Sequence, residues 1–350
     1  MDIQAIEYLK SSISISSYTG CSIGCKYCIL SSLSNHNVID KLYDEQELII
    51  NLLKHKYFVR NFTPITINNR TDPFLTPIIK KSTFKLLDYL EKENIKNPII
   101  LITKGYLNDD DINTLKKYKS NIFVFYTYSG ISELLENRVK KLQIETIKKL
   151  SELNNIKLIH YWRPVIEGIN TSDEVISEVS ELAVKYFHAS VVSGIRINSY
   201  LKKVFETEKL DILFQPNSEH KIIYDDTYEK IYNKLKELND DYKCFKKTSC
   251  CICSFNKEQD YNVNFYDDKK CSIRCSNYNI CHSKKIVSVS NVKKLLDNIN
   301  LDCNFEIKDG IVIIDYELDQ EQKIYLTHNL KMKIKPKRIK KSLSEENLSK

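Results

Sequence analysis

Short apolar runs alternate with longer amphipathic stretches over the first ~200 residues. Runs rich in β-branched and aromatic residues predict strands at 12–18, 64–68, 98–103, 121–127, 157–162 and 190–197. Stretches with a 3.6-residue period predict helices at 42–56, 78–92, 109–118, 139–153 and 173–187. Six strand–helix units in a row favour a parallel sheet with right-handed crossovers. A closed eight-unit barrel takes about 250 residues, so the pattern predicts an α/β fold, a partial (β/α)6 TIM-type barrel.

The pattern changes after the sixth unit, which suggests further segments. We expect the partial barrel to span 1–205 and a helical connector to span 206–243. A small Cys-rich C-terminal lobe without helix periodicity is predicted at 244–285, and a small strand-rich piece at 286–330. In that piece, Gly310 lies in a turn between two short strands. The remaining residues, 331–350, are predicted to be a basic disordered tail.

Net charge is concentrated at the C-terminal end. The whole chain carries +7, but residues 331–350 hold eight Lys and Arg against two Glu, which leaves the rest close to neutral. Such a tail either contacts phosphates of a nucleic acid or is simply solvated. No apolar run is long enough to span a bilayer, and residues 1–10 show no secretory signal. We therefore expect a cytoplasmic protein without a membrane partner.

The eleven cysteines fall into two groups separated by more than two hundred residues. Because a cytosolic chain rarely holds disulfides, clustered cysteines favour metal binding. At the front, Cys21, Cys25 and Cys28 have the spacing C-x3-C-x2-C. Three thiolates can hold three irons of a 4Fe–4S cubane and leave the fourth iron open. An open iron suits an enzyme that binds S-adenosylmethionine, whereas structural zinc would need a fourth ligand, for which His36 is the candidate.

This spacing, with the aromatic Tyr27 before the third cysteine, resembles the hallmark of the radical S-adenosylmethionine superfamily. The resemblance implies a partial (β/α)6 barrel, a 4Fe–4S cluster and reductive cleavage of S-adenosylmethionine to a 5′-deoxyadenosyl radical, which abstracts hydrogen from a substrate. A reductant such as flavodoxin or ferredoxin would supply the electron. The resemblance also implies that Tyr27 sets the backbone against the adenine and that Ser129, just after the fourth strand, brings a hydroxyl near the cofactor.

Further segments resemble the spore photoproduct lyase-like branch of that superfamily. They are Thr66–Phe74, Ile102–Gly105, Tyr161–Asn170 and Gly194–Arg196. The branch implies a nucleic-acid substrate. One feature departs from it, because spore photoproduct lyase uses a barrel cysteine as hydrogen donor and this chain has no cysteine between residues 28 and 244. Repair of thymine dimers is therefore not the expected specific activity.

Four more polar residues at predicted strand ends suit the cofactor by their chemistry. Asn69 or Asp72 would take the ribose hydroxyls or the methionyl ammonium, since a carboxylate pairs well with an ammonium. Lys104 and Arg163 would take the methionyl carboxylate or a substrate anion.

The back group of cysteines leaves three interpretations open. Its predicted metal ligands are Cys253, Cys271, Cys275 and Cys281. They would hold a second 4Fe–4S cluster or a zinc ion, or they are reduced structural thiols. An auxiliary cluster would favour a radical enzyme that matures a peptide or protein. The alternative outside enzymes is a zinc or iron–sulfur protein that binds nucleic acid.

Overall fold

A computed structural model describes residues 4–32, 36–208, 210, 225–265, 277–283 and 286–337. The chain forms two compact units, residues 1–258 with 275–277, and residues 259–274 with 278–350. The strands of the first unit are β1 Ile6–Tyr8, β2 Ile13–Ile15, β3 Tyr18–Thr19, β4 Asp40–Lys41, β5 Ile65–Ile67, β6 Ile99–Thr103, β7 Ile122–Thr127, β8 Ile156–Val165, β9 Ala189–Gly194 and β10 Lys243–Phe245. Its helices are α1 Glu45–Lys54, α2 Pro77–Lys92, α3 Asp109–Leu115, α4 Glu133–Glu136, α5 Lys140–Ser151, α6 Asp173–Tyr186, α7 Ser199–Thr207, α8 Asp225–Leu238 and α9 Thr248–Phe255.

The first unit is built on an eight-stranded sheet. Its order is β1-β2-β5-β6-β7-β8-β9-β10, with β1 antiparallel and every other pair parallel. The six predicted strands are all present as β2 and β5 to β9, and they are neighbours in chain order. This mostly parallel α/β sheet is consistent with a partial barrel, and the carboxyl ends of its parallel strands lie at one edge.

Helix boundaries in this unit follow ordinary capping chemistry. The Asp44 side chain accepts from backbone N–H groups at the start of α1, and Ser172 does the same for α6. Thr76 caps α2, and Pro77 occupies the first helical position, where a missing N–H costs nothing. Each of α1, α2, α5 and α6 has one side of buried residues, including Leu52, Leu86, Leu150 and Val179.

The segment predicted as a Cys-rich lobe differs from the prediction, whereas α8 lies within the predicted helical connector. β10 contains Cys244 and pairs in parallel with β9, and α9 follows it directly. Cys251 and Ile252 of α9 pack in one core cluster with Phe125 of β7. Residues up to 258 therefore belong to the first unit rather than to a separate lobe. The α9 helix escaped the pattern because Thr, Ser, Cys and Ile are weak helix formers and its stability comes from burial.

The second unit contains α10 Tyr278–His282, α11 Val289–Asn298, α12 Gln320–Leu330 and the sheet β11 Phe305–Lys308, β12 Ile311–Ile314 and β13 Lys333–Pro336, in the order β11-β12-β13. The hairpin around Gly310 is present as predicted. The piece expected to be strand-rich also contains α11 and α12, and β13 lies within the stretch expected to be disordered. Helix α12 shows no clear amphipathic period because it is buried on several sides. Residues 338–350 of the predicted tail lie outside the described residues.

No helix within these described ranges combines the length and the apolar character that crossing a bilayer requires.

Candidate functional site

The front cysteine loop begins where the first parallel strand ends. After β2 and β3 the chain turns at Gly20, which has a φ of +86°. A Cβ at this position would lie 1.8 Å from the carbonyl oxygen of Val38. The backbone N–H of Cys21 then donates to the carbonyl of His36 at 2.7 Å. The start of the loop is therefore packed too closely for any side chain at residue 20.

The segment that follows β7 holds the other side of the loop. The N–H of Lys26 donates to the carbonyl of Leu135 at 2.9 Å, and the Cys25 thiol donates to the carbonyl of Glu136 at 3.2 Å. The Asn137 side chain donates to the carbonyl of Ile23. Cysteines from the end of one strand are thus fixed by backbone groups that follow another strand, at the edge where α/β proteins bind ligands.

A buried ion pair lies against the middle cysteine. Lys104 follows β6, and its Nζ is 2.7 Å from Glu136 Oε1, with 13% and 4% of the two side chains exposed. The same Nζ donates to Tyr27 Oη at 2.5 Å and to Cys25 Sγ at 3.7 Å. Tyr27 Oη in turn donates to the Glu136 carboxylate. The loop therefore meets one buried positive and one buried negative group, joined by a phenol.

These surroundings shift the acidity of the groups involved. Burial raises the pKa of Cys25, although the nearby Lys104 charge partly opposes the rise. Burial, with a contribution from the Asp72 charge, raises the pKa of Cys21 to about 11. Burial alone would lower the pKa of Lys104, but the oxygens of Tyr27 and Glu136 more than compensate and raise it well above its usual value. Lys104 is charged and both thiols are neutral at pH 7, so metal binding must displace their protons.

Asp72 lies beside the loop and joins two strand ends. Its carboxylate accepts from the Thr103 hydroxyl at 2.7 Å and from the backbone N–H groups of Lys104 and Phe74 at 2.8 and 2.9 Å. A carboxylate has about four acceptor sites, so at most one remains for a ligand. Asn69, the other residue predicted for the ribose or the ammonium, is exposed.

The neighbouring Asn68 is the buried asparagine of this segment. Its Oδ1 accepts from the N–H and hydroxyl of Ser17 at 3.0 and 3.1 Å, and its Nδ2 donates to Thr83 Oγ1 at 2.9 Å. It adopts the left-handed conformation, with φ at +54°. Asn68 therefore anchors the chain just before the cysteine loop, a role that the sequence pattern did not indicate.

Ser129 and Arg163 occupy different surroundings. Ser129 is fully buried, and its hydroxyl has no hydrogen-bond partner among the described residues. Its carbonyl accepts from the Asn170 side chain at 2.6 Å, and Asn170 also donates to the carbonyl of Pro164 at 3.0 Å. Arg163 is half-buried and donates from Nη1 to Tyr161 Oη at 2.7 Å. Within the described structure, the Ser129 hydroxyl is thus a buried polar group without a hydrogen-bond partner.

Arg138 is the functional candidate that sequence reasoning missed. Its Nε and Nη2 atoms are buried and have no hydrogen-bond partner within the described part of the chain. It directly follows Asn137, whose side chain donates to the Ile23 carbonyl of the loop, and its charge slightly lowers the pKa of the Cys25 thiol. Arg138 as a whole is half-buried, but its edge with the buried Nε and Nη2 donors is suited to a bidentate anion. The sequence feature that could have indicated it is its position in the segment after β7, because residues that follow parallel strands in such folds bind ligands.

The donor set of the loop suits an iron–sulfur cluster. Cys28 Sγ lies 3.9 Å from His36 Nε2, but among the described residues no three Cys, His, Asp or Glu side chains converge on one metal position. A zinc ion needs four ligands at about 2.0–2.3 Å. A cubane binds each cysteine to a different iron, so its thiolates need not converge in that way. Three cysteines beside buried positive charge therefore fit a 4Fe–4S cluster.

The described members of the predicted back ligand set belong to different units of the chain. Cys253 is buried at the end of α9 in the first unit. Cys281 belongs to α10 in the second unit, where its sulfur accepts from the N–H of Asp260 at 3.4 Å. Cys271 and Cys275 lie outside the described residues. The identity of any back site stays a prediction.

Comparison with known proteins points to one group of folds. A spore photoproduct lyase variant with bound AdoMet and dinucleoside spore photoproduct has 13% identity and a TM-score of 0.52, with 67% of this chain and 76% of that chain covered. A second spore photoproduct lyase structure has 11% identity and a TM-score of 0.53, with 71% and 79% covered. A radical SAM methyltransferase from Sphaerobacter thermophilus has 12% identity and a TM-score of 0.45, with 68% and 67% covered.

The chain is thus similar in fold to spore photoproduct lyase. No family model matches the sequence, and no curated protein matches it.

Proposed function

We propose that this protein is a radical S-adenosylmethionine enzyme whose 4Fe–4S cluster is bound by Cys21, Cys25 and Cys28. The observation that carries the proposal is the C-x3-C-x2-C loop at the end of the first parallel strand, held against a buried lysine. When bound, such a cluster supplies the electron that cleaves S-adenosylmethionine to methionine and a 5′-deoxyadenosyl radical. A low-potential cytosolic protein such as flavodoxin or ferredoxin would be the reductant.

Of the three candidate basic residues, Arg138 is best suited to bind the carboxylate of the methionyl group. Lys104 already donates to three atoms, which are all the N–H donors that an ammonium has. Arg163 has one donor engaged by Tyr161. Arg138 keeps two buried donors without a partner among the described residues, and a guanidinium edge matches a carboxylate. Burying these two donors without hydrogen bonds costs free energy, and a bound carboxylate would offset that cost by accepting from both.

Ser129, Asp72 and Asn69 would contact the remaining polar groups of the cofactor. The Ser129 hydroxyl is buried and lacks a partner in the described structure, so it would bind a hydroxyl or ring nitrogen of the cofactor. Asp72 has one acceptor site left and would take an N–H of the methionyl ammonium. Exposed Asn69 remains a candidate for the ribose hydroxyls, and Tyr27 for positioning the backbone beside the adenine.

We infer that the substrate is a nucleic acid. Two observations support this choice: one structure of similar fold holds a dinucleoside photoproduct, and basic residues are concentrated in the last twenty positions of this chain. The rival substrate, a peptide or protein, rests on an auxiliary cluster at the back cysteines.

Anaerobic cleavage of S-adenosylmethionine tests the proposal. The parent protein, reconstituted with iron and sulfide and reduced with dithionite, should release 5′-deoxyadenosine, measured by chromatography. Cys28→Ala should release none, because it removes one of the three cluster ligands. Cys303→Ala is the matched control and should retain the parent rate. If the parent binds no iron, or if Cys28→Ala cleaves as fast as the parent, the proposal fails, and a zinc or iron–sulfur binding protein takes its place.

A further inference from the structure

Lys104 is the one residue of this edge whose charged group touches both a cluster cysteine and a buried carboxylate in the described structure. Its ammonium donates to Cys25 Sγ at 3.7 Å and to Glu136 Oε1 at 2.7 Å. The third donor goes to Tyr27 Oη at 2.5 Å. All three N–H groups are therefore used within the protein, so none is left over for a cofactor carboxylate.

The charged groups of Lys104 and Glu136 are placed differently relative to the cysteine loop. The Lys104 ammonium faces the Cys25 sulfur, whereas the Glu136 carboxylate is bound to Lys104 and to the Tyr27 hydroxyl. The Glu136 main chain meets the same sulfur through its carbonyl. With 13% and 4% of their side chains exposed, the two charges are poorly screened by water, so they act strongly on any charge change at the loop.

Reduction of a cluster bound by this loop adds one negative charge a few ångströms from that ammonium. Cluster potentials depend on net charge, on hydrogen bonds to the sulfurs and on solvent exposure. A positive group and an N–H donor at a ligand sulfur stabilise the reduced, more negative cluster. A buried carboxylate one contact farther away opposes that effect.

We propose that Lys104 and Glu136 form a pair of positioning residues that sets the reduction potential of the cluster, with Lys104 raising it and Glu136 lowering it. This inference rests on the proposed function, because it needs a cluster on the cysteine loop. It also replaces the expectation that Lys104 binds the methionyl carboxylate, a role that the free donors of Arg138 fit better.

The test is a potentiometric titration of the reconstituted full-length protein without S-adenosylmethionine, followed by EPR. Lys104→Met removes the charge and the N–H donor but keeps an unbranched side chain. Glu136→Gln keeps the size and the acceptor oxygen but removes the negative charge. We expect Lys104→Met to shift the midpoint to more negative values and Glu136→Gln to shift it to more positive ones. Each shift should be about tenfold in the reduction equilibrium, or 59 mV for one electron.

Lys80→Met is the matched control. Lys80 pairs with Asp111 at 2.5 Å between α2 and α3, and 17% and 12% of these two side chains are exposed. The same substitution there should leave the midpoint unchanged. Binding of S-adenosylmethionine to each variant is measured separately by equilibrium dialysis.

The outcomes distinguish a failure of the Lys104–Glu136 proposal from a failure of the proposed function. Opposite shifts in the two variants support the pair as a potential-setting device, since a merely structural role moves both in one direction or neither. Unchanged midpoints overturn it, and they identify Lys104 as a cofactor ligand if Lys104→Met also weakens S-adenosylmethionine binding. If Lys104→Met holds no iron, Glu136→Gln decides alone: a positive shift supports the pair and no shift overturns it. A parent protein without an EPR-active cluster contradicts the proposed function itself.

Discussion

The front and back regions are both rich in cysteine, but their cysteines have different surroundings in the structure. The front cysteines share one short loop, which is held by backbone hydrogen bonds and contacted at Cys25 by Lys104. The described back cysteines are spread over a strand, two helices and a loop: Cys244 in β10, Cys250, Cys251 and Cys253 in α9, Cys281 in α10, and Cys303.

The environment of each thiol explains the contrast. Cys251 is fully buried among Phe125, Tyr161 and Ile252, and burial raises its pKa well above the usual value. A thiol among apolar neighbours behaves as a small hydrophobic side chain. Cys25 is also buried, but a lysine charge lies within contact of its sulfur. Cysteine spacing alone does not distinguish these cases, whereas the direct contact of the Lys104 ammonium with Cys25 Sγ does; the Lys243 charge near Cys251 only partly opposes the rise in that thiol's pKa.

The largest expected effect is on metal content. Cys21→Ala should lose the roughly four irons of one cubane after anaerobic reconstitution, because only two ligands remain. Cys251→Ala should keep them, since its thiol packs in the apolar core. Iron, zinc and sulfide per chain, measured by elemental and colorimetric analysis, decide the matter. Equal iron loss in both variants would remove the distinction between the two regions.

Metal content also tests the predicted back ligands. Cys253→Ala and Cys281→Ala should each remove a second cluster or a zinc ion if the back region binds metal. Retention of all metal in both variants would leave the back cysteines as structural thiols, and the peptide-maturase alternative would lose its support.

The next largest expected effect is on S-adenosylmethionine binding when the charge of Arg138 is removed. Arg138→Gln should weaken S-adenosylmethionine binding about ten- to one-hundredfold, because a hydrogen bond to a charged group contributes about 1.5–3 kcal/mol. Equilibrium dialysis of the reconstituted protein measures the dissociation constant. Arg163→Gln is the matched control, and its effect should be smaller because Nη1 already serves Tyr161. A larger loss in Arg163→Gln would reassign the carboxylate to Arg163.

A stability difference should follow from the apolar surroundings of the back thiol. Cys251→Ser places a hydroxyl in the core of the first unit and should lower the free energy of unfolding by about 2 kcal/mol. Cys21→Ser, at a half-buried site, should change it by less than about 0.5 kcal/mol. Urea denaturation of the metal-free protein compares them. Equal losses would mean that the front loop is as tightly packed as the core.

The smallest effect is a pH dependence of alkylation in the metal-free protein. The thiolate reacts, and the pKa of Cys21 is raised to about 11, so its labelling rate should rise nearly tenfold between pH 9 and 10. A thiol at the ordinary value of 9.0 would gain only about twofold, because it is already half ionised. Iodoacetamide labelling followed by peptide mass spectrometry gives the rate. A twofold gain at Cys21 would show that its surroundings do not disfavour the thiolate.

Much of the fold could be predicted because its signals are local. The β-branched runs predicted six of the seven parallel strands, all except β10, and the loop spacing indicated three cysteines acting together. Helices α9 and α12 were missed because burial, and not an amphipathic period, stabilises them. The engagement of Lys104 by Glu136 was also missed. These residues are 32 positions apart and meet only because β6 and β7 are neighbours in the sheet.

Gly20 has a consequence for which sequences this fold can accept. A side chain there would collide with the Val38 carbonyl, whereas a Cβ at Gly310 meets nothing within 4 Å. Both glycines have positive φ, so both carry a conformational preference, but only Gly20 adds a steric exclusion. In a library of random substitutions, residue 20 should tolerate glycine alone, while residue 310 should also admit asparagine and aspartate. Residue 20, at the start of the cysteine loop, is therefore expected to be among the positions of this chain that accept the fewest substitutions.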